Sequence, residues 1–247
     1  MEIDAITIQA NIRLVQERIA QACLAAGRPL DSVRLLLATK TVSAERIRVA
    51  LEAGCTLIAE NKLQELKAKY ADLQDLAPDH HFIGHLQSNK IKELLRYELT
   101  CLQSLDRLEV AQKLNQRLLA AGKSLDVLIQ INSSDEESKF GVHPQEAEAL
   151  LRGVAILPAL RIKGLMTIGL FSADTERVRA CFQRMRDLQQ ELMALAIPNV
   201  ELQELSMGMS GDLEIAIAEG ATIVRVGTAV FGARMYPDSY YWNEAIG

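Results

Sequence analysis

Lys40 stands directly behind the apolar run at residues 33–39. A lysine amine delivered by the end of such a run can attack a carbonyl carbon and form an imine. A lysine there can equally lay its stem along apolar neighbours and keep its charge in water, so position alone leaves both readings open. Near the other end of the chain, Arg225-Val226-Gly227-Thr228 closes the apolar run at residues 222–226 with a glycine and a hydroxyl. Backbone N–H groups that open a helix at such a place can face an anion. Ser210 and Gly211, within Leu205-Ser206-Met207-Gly208-Met209-Ser210-Gly211-Asp212, form a second loop of the same kind. Two such loops point to a phosphorylated ligand.

Other polar residues fall at the ends of apolar runs: Glu60 and Asn61, His85 and Gln87, Asn132, Met166 and Thr167, and Ser206. Each has a plainer reading. Arg225 can be an ion-pairing core residue, Asn61 and Ser210 can cap helices, and Met207 and Met209 can fill gaps. His80, His81 and His85 invite a metal, but adjacent residues on a strand face opposite ways and no carboxylate comes after them at ligand spacing, so structural roles are expected. Asp135-Glu136-Glu137 before Lys139 reads as a solvated loop, and Tyr236, Tyr240, Tyr241 and Trp242 as an aromatic cluster pinning the tail. No lysine other than Lys40 is expected at the end of the first run.

The elements that must position these residues show in the periodicity. Ile8, Ile12, Val15, Ile19 and Cys23 recur at helical spacing, with Gly27 and Pro29 as stops, so residues 1–28 read as an N-terminal helix packed on the rest of the domain. Eight short apolar runs then alternate with helical stretches: 33–39, 56–59, 81–84, 100–104, 125–132, 160–166, 200–205 and 222–226. Eight strand–helix units without a long linker predict a single α/β domain over residues 1–247, a (β/α)8 TIM barrel; a doubly wound open sheet is the alternative. In a barrel the ends of the strands carry the chemistry, which is where the polar residues fall.

Composition excludes several classes. The 49% of hydrophobic residues can fill a substantial core, and the net charge of −5 comes with no basic arm, so nucleic acid is not an expected partner. The acidic start Met1-Glu2-Ile3-Asp4 is unlike a targeting peptide, and no long uncharged apolar stretch appears. A cytoplasmic location away from membranes is expected. Cys23, Cys55, Cys101 and Cys181 form no CxxC pair and read as reduced core residues.

In motif order the chain resembles the family of pyridoxal phosphate homeostasis proteins, the YggS/PROSC family, over nearly its whole length. The resemblance rests on Leu37-Ala38-Thr39-Lys40-Thr41, Ala59-Glu60-Asn61-Lys62-Leu63-Gln64-Glu65 and His81-Phe82-Ile83-Gly84-His85-Leu86-Gln87-Ser88-Asn89-Lys90. It continues through Ile129-Gln130-Ile131-Asn132, Lys139-Phe140-Gly141, Gly164-Leu165-Met166, Leu205 to Ser210, and Val224-Arg225-Val226-Gly227-Thr228-Ala229-Val230-Phe231-Gly232. Thr39, Ser43, Ala59 and Lys62 depart from the usual Ser, Pro, Gly and aromatic or Arg of that pattern.

The resemblance implies a fold-type III barrel like the N-terminal domain of alanine racemase, with pyridoxal 5′-phosphate (PLP) as cofactor. By carry-over Lys40 is the Schiff-base lysine, Ser210, Gly227 and Thr228 bind the phosphate, Arg225 faces the pyridine nitrogen, and Asn61 and Met166 line the pocket. Ser206 and Gly211 complete the expected cofactor-binding set; no catalytic or metal residue is assigned. An arginine at that nitrogen disfavours its protonation. Racemisation also requires a second base, which alanine racemase takes from an extra domain that this chain has no room for. A PLP carrier or reservoir is therefore expected rather than an amino-acid racemase, acting as a monomer with PLP-dependent apo-enzymes as possible partners.

Overall fold

The structure, a computed structural model, describes residues 2–134 and 140–233. The predicted N-terminal helix is α1 (Glu2–Ala25), and Ile8, Ile12, Val15, Ile19 and Cys23 are all buried along its inner stripe. It ends where expected: the Arg28 N–H donates to the Cys23 carbonyl (2.8 Å), the long closing bond of a helix stop. The acidic run at residues 135–137, Lys139 and the aromatic residues Tyr236, Tyr240, Tyr241 and Trp242 lie outside the described residues.

Eight parallel strands close into a barrel in sequence order: β1 (Arg34–Ala38), β2 (Leu57–Glu60), β3 (Asp79–Phe82), β4 (Cys101–Leu105), β5 (Leu125–Gln130), β6 (Leu160–Met166), β7 (Val200–Ser206) and β8 (Ile223–Val226). Pairing of β8 with β1, Leu36 opposite Arg225 and Leu37 opposite Val226, closes the ring and rules out the open sheet. Around it lie α2 (Ala44–Glu52), α3 (Leu63–Leu73), α4 (Ile91–Leu94), α5 (Leu108–Ala120), α6 (Ala147–Ala155), α7 (Thr175–Ala194), α8 (Leu213–Ala218) and α9 (Thr228–Phe231), with α1 against α2, α8 and α9.

Strand alternation divides the core. Leu37, Ile58, Phe82, Leu102, Ile129, Leu165, Val224 and Val226 face outward into one apolar layer shared with the helices. The barrel interior is split: Leu36, Leu57, Ala59 and Ile223 fill one part, and Cys101, Leu128 and Met166 another. Polar Gln103, His81, Ser206 and Arg225 are buried as well. All four cysteines are buried and unpaired with one another.

The predicted runs match the strands to within a residue or two. The largest displacement is in β3, expected at 81–84 and found at Asp79–Phe82. Asp79 and His80 look like loop residues, yet they pair with Leu57 and Ile58 of β2, so register overrides propensity. At the other end the chain leaves the sheet by Gly84, where a Cβ would sit 1.8 Å from the Asn61 carbonyl oxygen. Only glycine permits that approach, and it brings the β2 and β3 ends together at the mouth.

Candidate functional site

The C-terminal mouth of the barrel holds a cavity of about 210 Å³. Lys40 from the end of β1, Asn61 after β2, Met166 at the end of β6, Ser210 and Gly211 after β7, and Arg225, Gly227 and Thr228 from β8 all line it. Residues separated by up to 188 positions thus meet in one pocket because β8 pairs with β1. Ser206 is placed differently: it is fully buried beneath the cavity, where its hydroxyl accepts a hydrogen bond from Arg225 Nη1 (2.9 Å).

The phosphate-type loops are held from behind. Ser210 Oγ accepts from the Ala229 N–H in the first turn of α9 (3.3 Å), so Ser210 serves a helix other than the one next to it in the chain. Neither it nor Asn61 is an N-cap of its own helix: α8 begins after Asp212 and α3 after Lys62. Asp212 Oδ1 accepts from the Met209 N–H (2.6 Å), and Gly208, at φ +90°, turns the chain where a Cβ would lie 2.5 Å from the Ala216 methyl. The N-terminal helix completes the support. Arg18 Nη2 donates to the Ser210 carbonyl (3.0 Å) and Asn11 Nδ2 to the Val230 carbonyl (3.0 Å). Of the two loop methionines, Met207 is buried in the outer core and Met209 lines the cavity.

Arg225 is 5% exposed and rests on neutral groups: Nη1 on Ser206 Oγ and Nη2 on the Thr167 carbonyl (2.7 Å). A guanidinium only donates, so Ser206 accepts from it, and the Gln103 amide, with its oxygen toward Ser206 and its nitrogen toward His81, sets the direction of the bonds below. Ser206 Oγ donates to Gln103 Oε1 (2.7 Å), leaving Gln103 Nε2 to donate to His81 Nδ1 (2.7 Å). His81 is therefore a neutral acceptor with its proton on Nε2, in keeping with burial, which pushes its pKa down to about 3. Burial also lowers Arg225, opposed by Asp212, to about 10, so its charge persists at physiological pH. His80, facing the other way, packs on the Tyr70 ring with centroids 5.3 Å apart. His85 stacks on Phe140 (4.0 Å) in a neighbouring cleft that also contains Gln87. No cluster of three or more potential metal ligands occurs among the described residues.

A second cation at the end of β1 overturns the expectation that Lys40 stands alone there. Lys69 of α3 reaches under the mouth and donates to the Thr39 carbonyl (2.9 Å), Glu60 Oε1 (2.8 Å) and Glu65 Oε2 (2.6 Å). Burial pushes the Glu60 carboxyl up while Lys69 pulls it back. The Glu65–Lys69 spacing of four on one helix is the signal available in the sequence. Gln103 and His81 give only the alternation of their strands.

The donor set suits PLP: a largely buried amine, a fixed deep cation, and hydroxyl and N–H groups at the β7 and β8 loops for a phosphate. Fold and site together define a lysine-bearing (β/α)8 barrel of the alanine racemase N-terminal type, and the profile of that family, "Alanine racemase, N-terminal domain", matches residues 3–235. The chain is 44% identical to the pyridoxal phosphate homeostasis protein of Aquifex aeolicus, over 90% of this chain and 96% of that one. It is 45% identical to the protein of the same name from Pseudomonas aeruginosa, over 93% and 97% of the two chains. The chain belongs to the family of pyridoxal phosphate homeostasis proteins. Among solved structures, PipY of Synechococcus elongatus with PLP bound superposes with a TM-score of 0.76 at 34% identity, covering 88% of this chain and all (100%) of PipY. An alanine racemase from Clostridium difficile shares the fold, with a TM-score of 0.70 at 14% identity over 94% of this chain and 57% of that one.

Proposed function

We propose that this chain binds PLP at the barrel mouth, holds it through Lys40, and serves PLP homeostasis as a carrier or reservoir. The observation that carries the reading is the meeting of Lys40, Arg225 and the Ser210–Gly211 and Gly227–Thr228 loops in one cavity. When bound, PLP supplies an aldehyde that condenses reversibly with a lysine amine. Lys40 presents that amine, Ser210, Gly227 and Thr228 hold the phosphate, and Asn61 and Met166 form the walls. Arg225 meets the ring nitrogen as a lasting cation and keeps a proton off it, which weakens the electron sink that amino-acid chemistry needs. Ser206 keeps Arg225 in place from below. Holding is thereby separated from turnover, in a protein that acts in the cytosol, as a monomer, and yields PLP to apo-enzymes.

Borohydride reduction of the PLP-loaded protein, combined with peptide mapping, tests the site. A phosphopyridoxyl mass on Lys40, absent in Lys40→Ala, is expected; the mass on Lys62, Lys69 or Lys90 with Lys40 bare overturns it. Incubation with L-alanine in deuterium oxide tests the carrier role. Exchange of the α-hydrogen far slower than about 1 per second is expected, and exchange at that rate or faster, within the ordinary enzyme range, indicates an enzyme.

A further inference from the structure

Both peptide groups that flank Lys40 are tied to one charge cluster, buried at Glu60 and Lys69 and half-buried at Glu65. On the N-terminal side the Thr39 carbonyl accepts from Lys69 Nζ (2.9 Å), and Thr39 Oγ1 donates to Glu60 Oε1 (2.6 Å). On the C-terminal side the Thr41 N–H donates to Glu65 Oε2 (2.8 Å), the atom that also accepts from Lys69 (2.6 Å). Thr41 has φ +65°, a conformation that a residue with a branched Cβ seldom adopts and that surrounding contacts must hold. The three N–H bonds of the Lys69 ammonium have three acceptors, so the group is committed as a fastener and not offered as an amine.

We propose that Lys69, bracketed by Glu60 and Glu65, is the positioning residue for Lys40. It sets the Thr39–Thr41 backbone so that the Lys40 amine meets the aldehyde carbon, and it touches neither ligand nor reacting atoms itself. The proposal rests on Lys40 being the cofactor lysine. Thr39, Glu60 and Lys69 are 0%, 3% and 9% exposed, so on the Thr39 side water does not substitute readily for a lost partner. Small errors in the placement of a reacting group cost rate steeply.

The test separates covalent capture from binding. PLP and pyridoxine 5′-phosphate share ring and phosphate, but the latter carries an alcohol in place of the aldehyde. In Lys69→Met the rate of PLP attachment to Lys40, read by absorbance and by borohydride-trapped peptide, is expected to fall about 10- to 100-fold. Affinity for pyridoxine 5′-phosphate should stay within about twofold, the scale of a surface change that leaves the pocket intact. Since a lone Lys69→Met strands Glu60, the double variant Lys69→Met/Glu60→Gln is measured beside it. It lacks the buried unpaired carboxylate and still lacks the tie to Thr39, so it should keep the capture defect with a cooperative unfolding transition. Equal losses for both ligands in the double variant, or undiminished capture, overturn the positioning role. Wild-type protein that takes no label on Lys40 defeats the cofactor reading itself, and the positioning role with it.

Discussion

Two buried cations support the barrel mouth in opposite ways. Lys69 lies between the carboxylates of Glu60 and Glu65, whereas Arg225 rests on a hydroxyl and a carbonyl and continues into the neutral chain Ser206–Gln103–His81. Opposite charges at contact distance cancel each other's field, so the first cluster grips without acting on a ligand. Neutral dipoles hold a guanidinium in place and leave its charge uncancelled. Only Asp212 opposes it among the charges that bear on its pKa. On the proposed reading, in which one cluster fixes Lys40 and Arg225 presents a lasting cation to the ring, the two tasks call for different partners.

The sharpest way to break the comparison is to remove each cation. Lys69→Met strands the buried Glu60 carboxylate and is expected to cost about 3–5 kcal/mol of stability, most of it recovered when Glu60→Gln is added. Arg225→Met breaks no salt bridge, and Asp212, the one charge set against it, keeps its bond from the Met209 N–H; the substitution should cost less than about 2 kcal/mol, since the lost bonds to neutral acceptors are offset by relief of a desolvated charge. Urea unfolding compares the two. Similar losses would mean that the carboxylates are no more than spectators.

The neutral chain makes its own prediction in acid. His81 and His80 are held by burial at about 3 and about 4, below their usual 6.5. The unfolded chain therefore takes up these protons first as the pH drops. Stability from keeping the rings neutral is complete above pH 6.5 and declines as the pH falls from there toward 3, by at most about 1.4 kcal/mol per unit for each ring. His81→Gln, which retains an acceptor for Gln103, should flatten the melting temperature against pH in that window, leaving the part due to His80. An unchanged slope argues against a buried neutral His81.

Gln103→Leu interrupts the same chain in its middle. It leaves the Ser206 hydroxyl and His81 Nδ1 without their partner and is expected to cost about 1–3 kcal/mol; denaturation without loss of stability would show that the relay is not needed. Ser210→Ala, which belongs to neither cluster, sharpens the contrast: it removes a hydroxyl from the cavity and the acceptor of the Ala229 N–H. PLP affinity should weaken by about 1 kcal/mol, up to about 3 in a dry pocket, with pyridoxal little affected. Titration of both ligands checks it, and equal weakening reduces Ser210 to its bond with the Ala229 N–H.

Much of this architecture is legible as pattern. The stripe from Ile8 to Cys23 determines α1, and eight apolar runs of strand length determine eight strands, because periodicity is local and burial enforces it. The ends of those runs carry Lys40, Ser210, Arg225, Gly227 and Thr228, so the cavity's lining can be read as a set before any geometry. The first two residues of β3 escape that reading, since Asp79 and His80 are strand residues only through their pairing with β2. Ser206 reads as lining and lies one layer below, because period-two alternation tells inside from outside but not depth within a barrel. The partners of the two cations are likewise invisible. Thr39 and Lys69 are 30 positions apart, and Gln103 and Ser206 are 103 apart. The sequence by itself determined which residues end strands and which chemistry they offer. Only ring closure decided which buried groups satisfy one another, since a hydrogen bond in the core depends on where distant strands bring their side chains, and no local pattern encodes that distance.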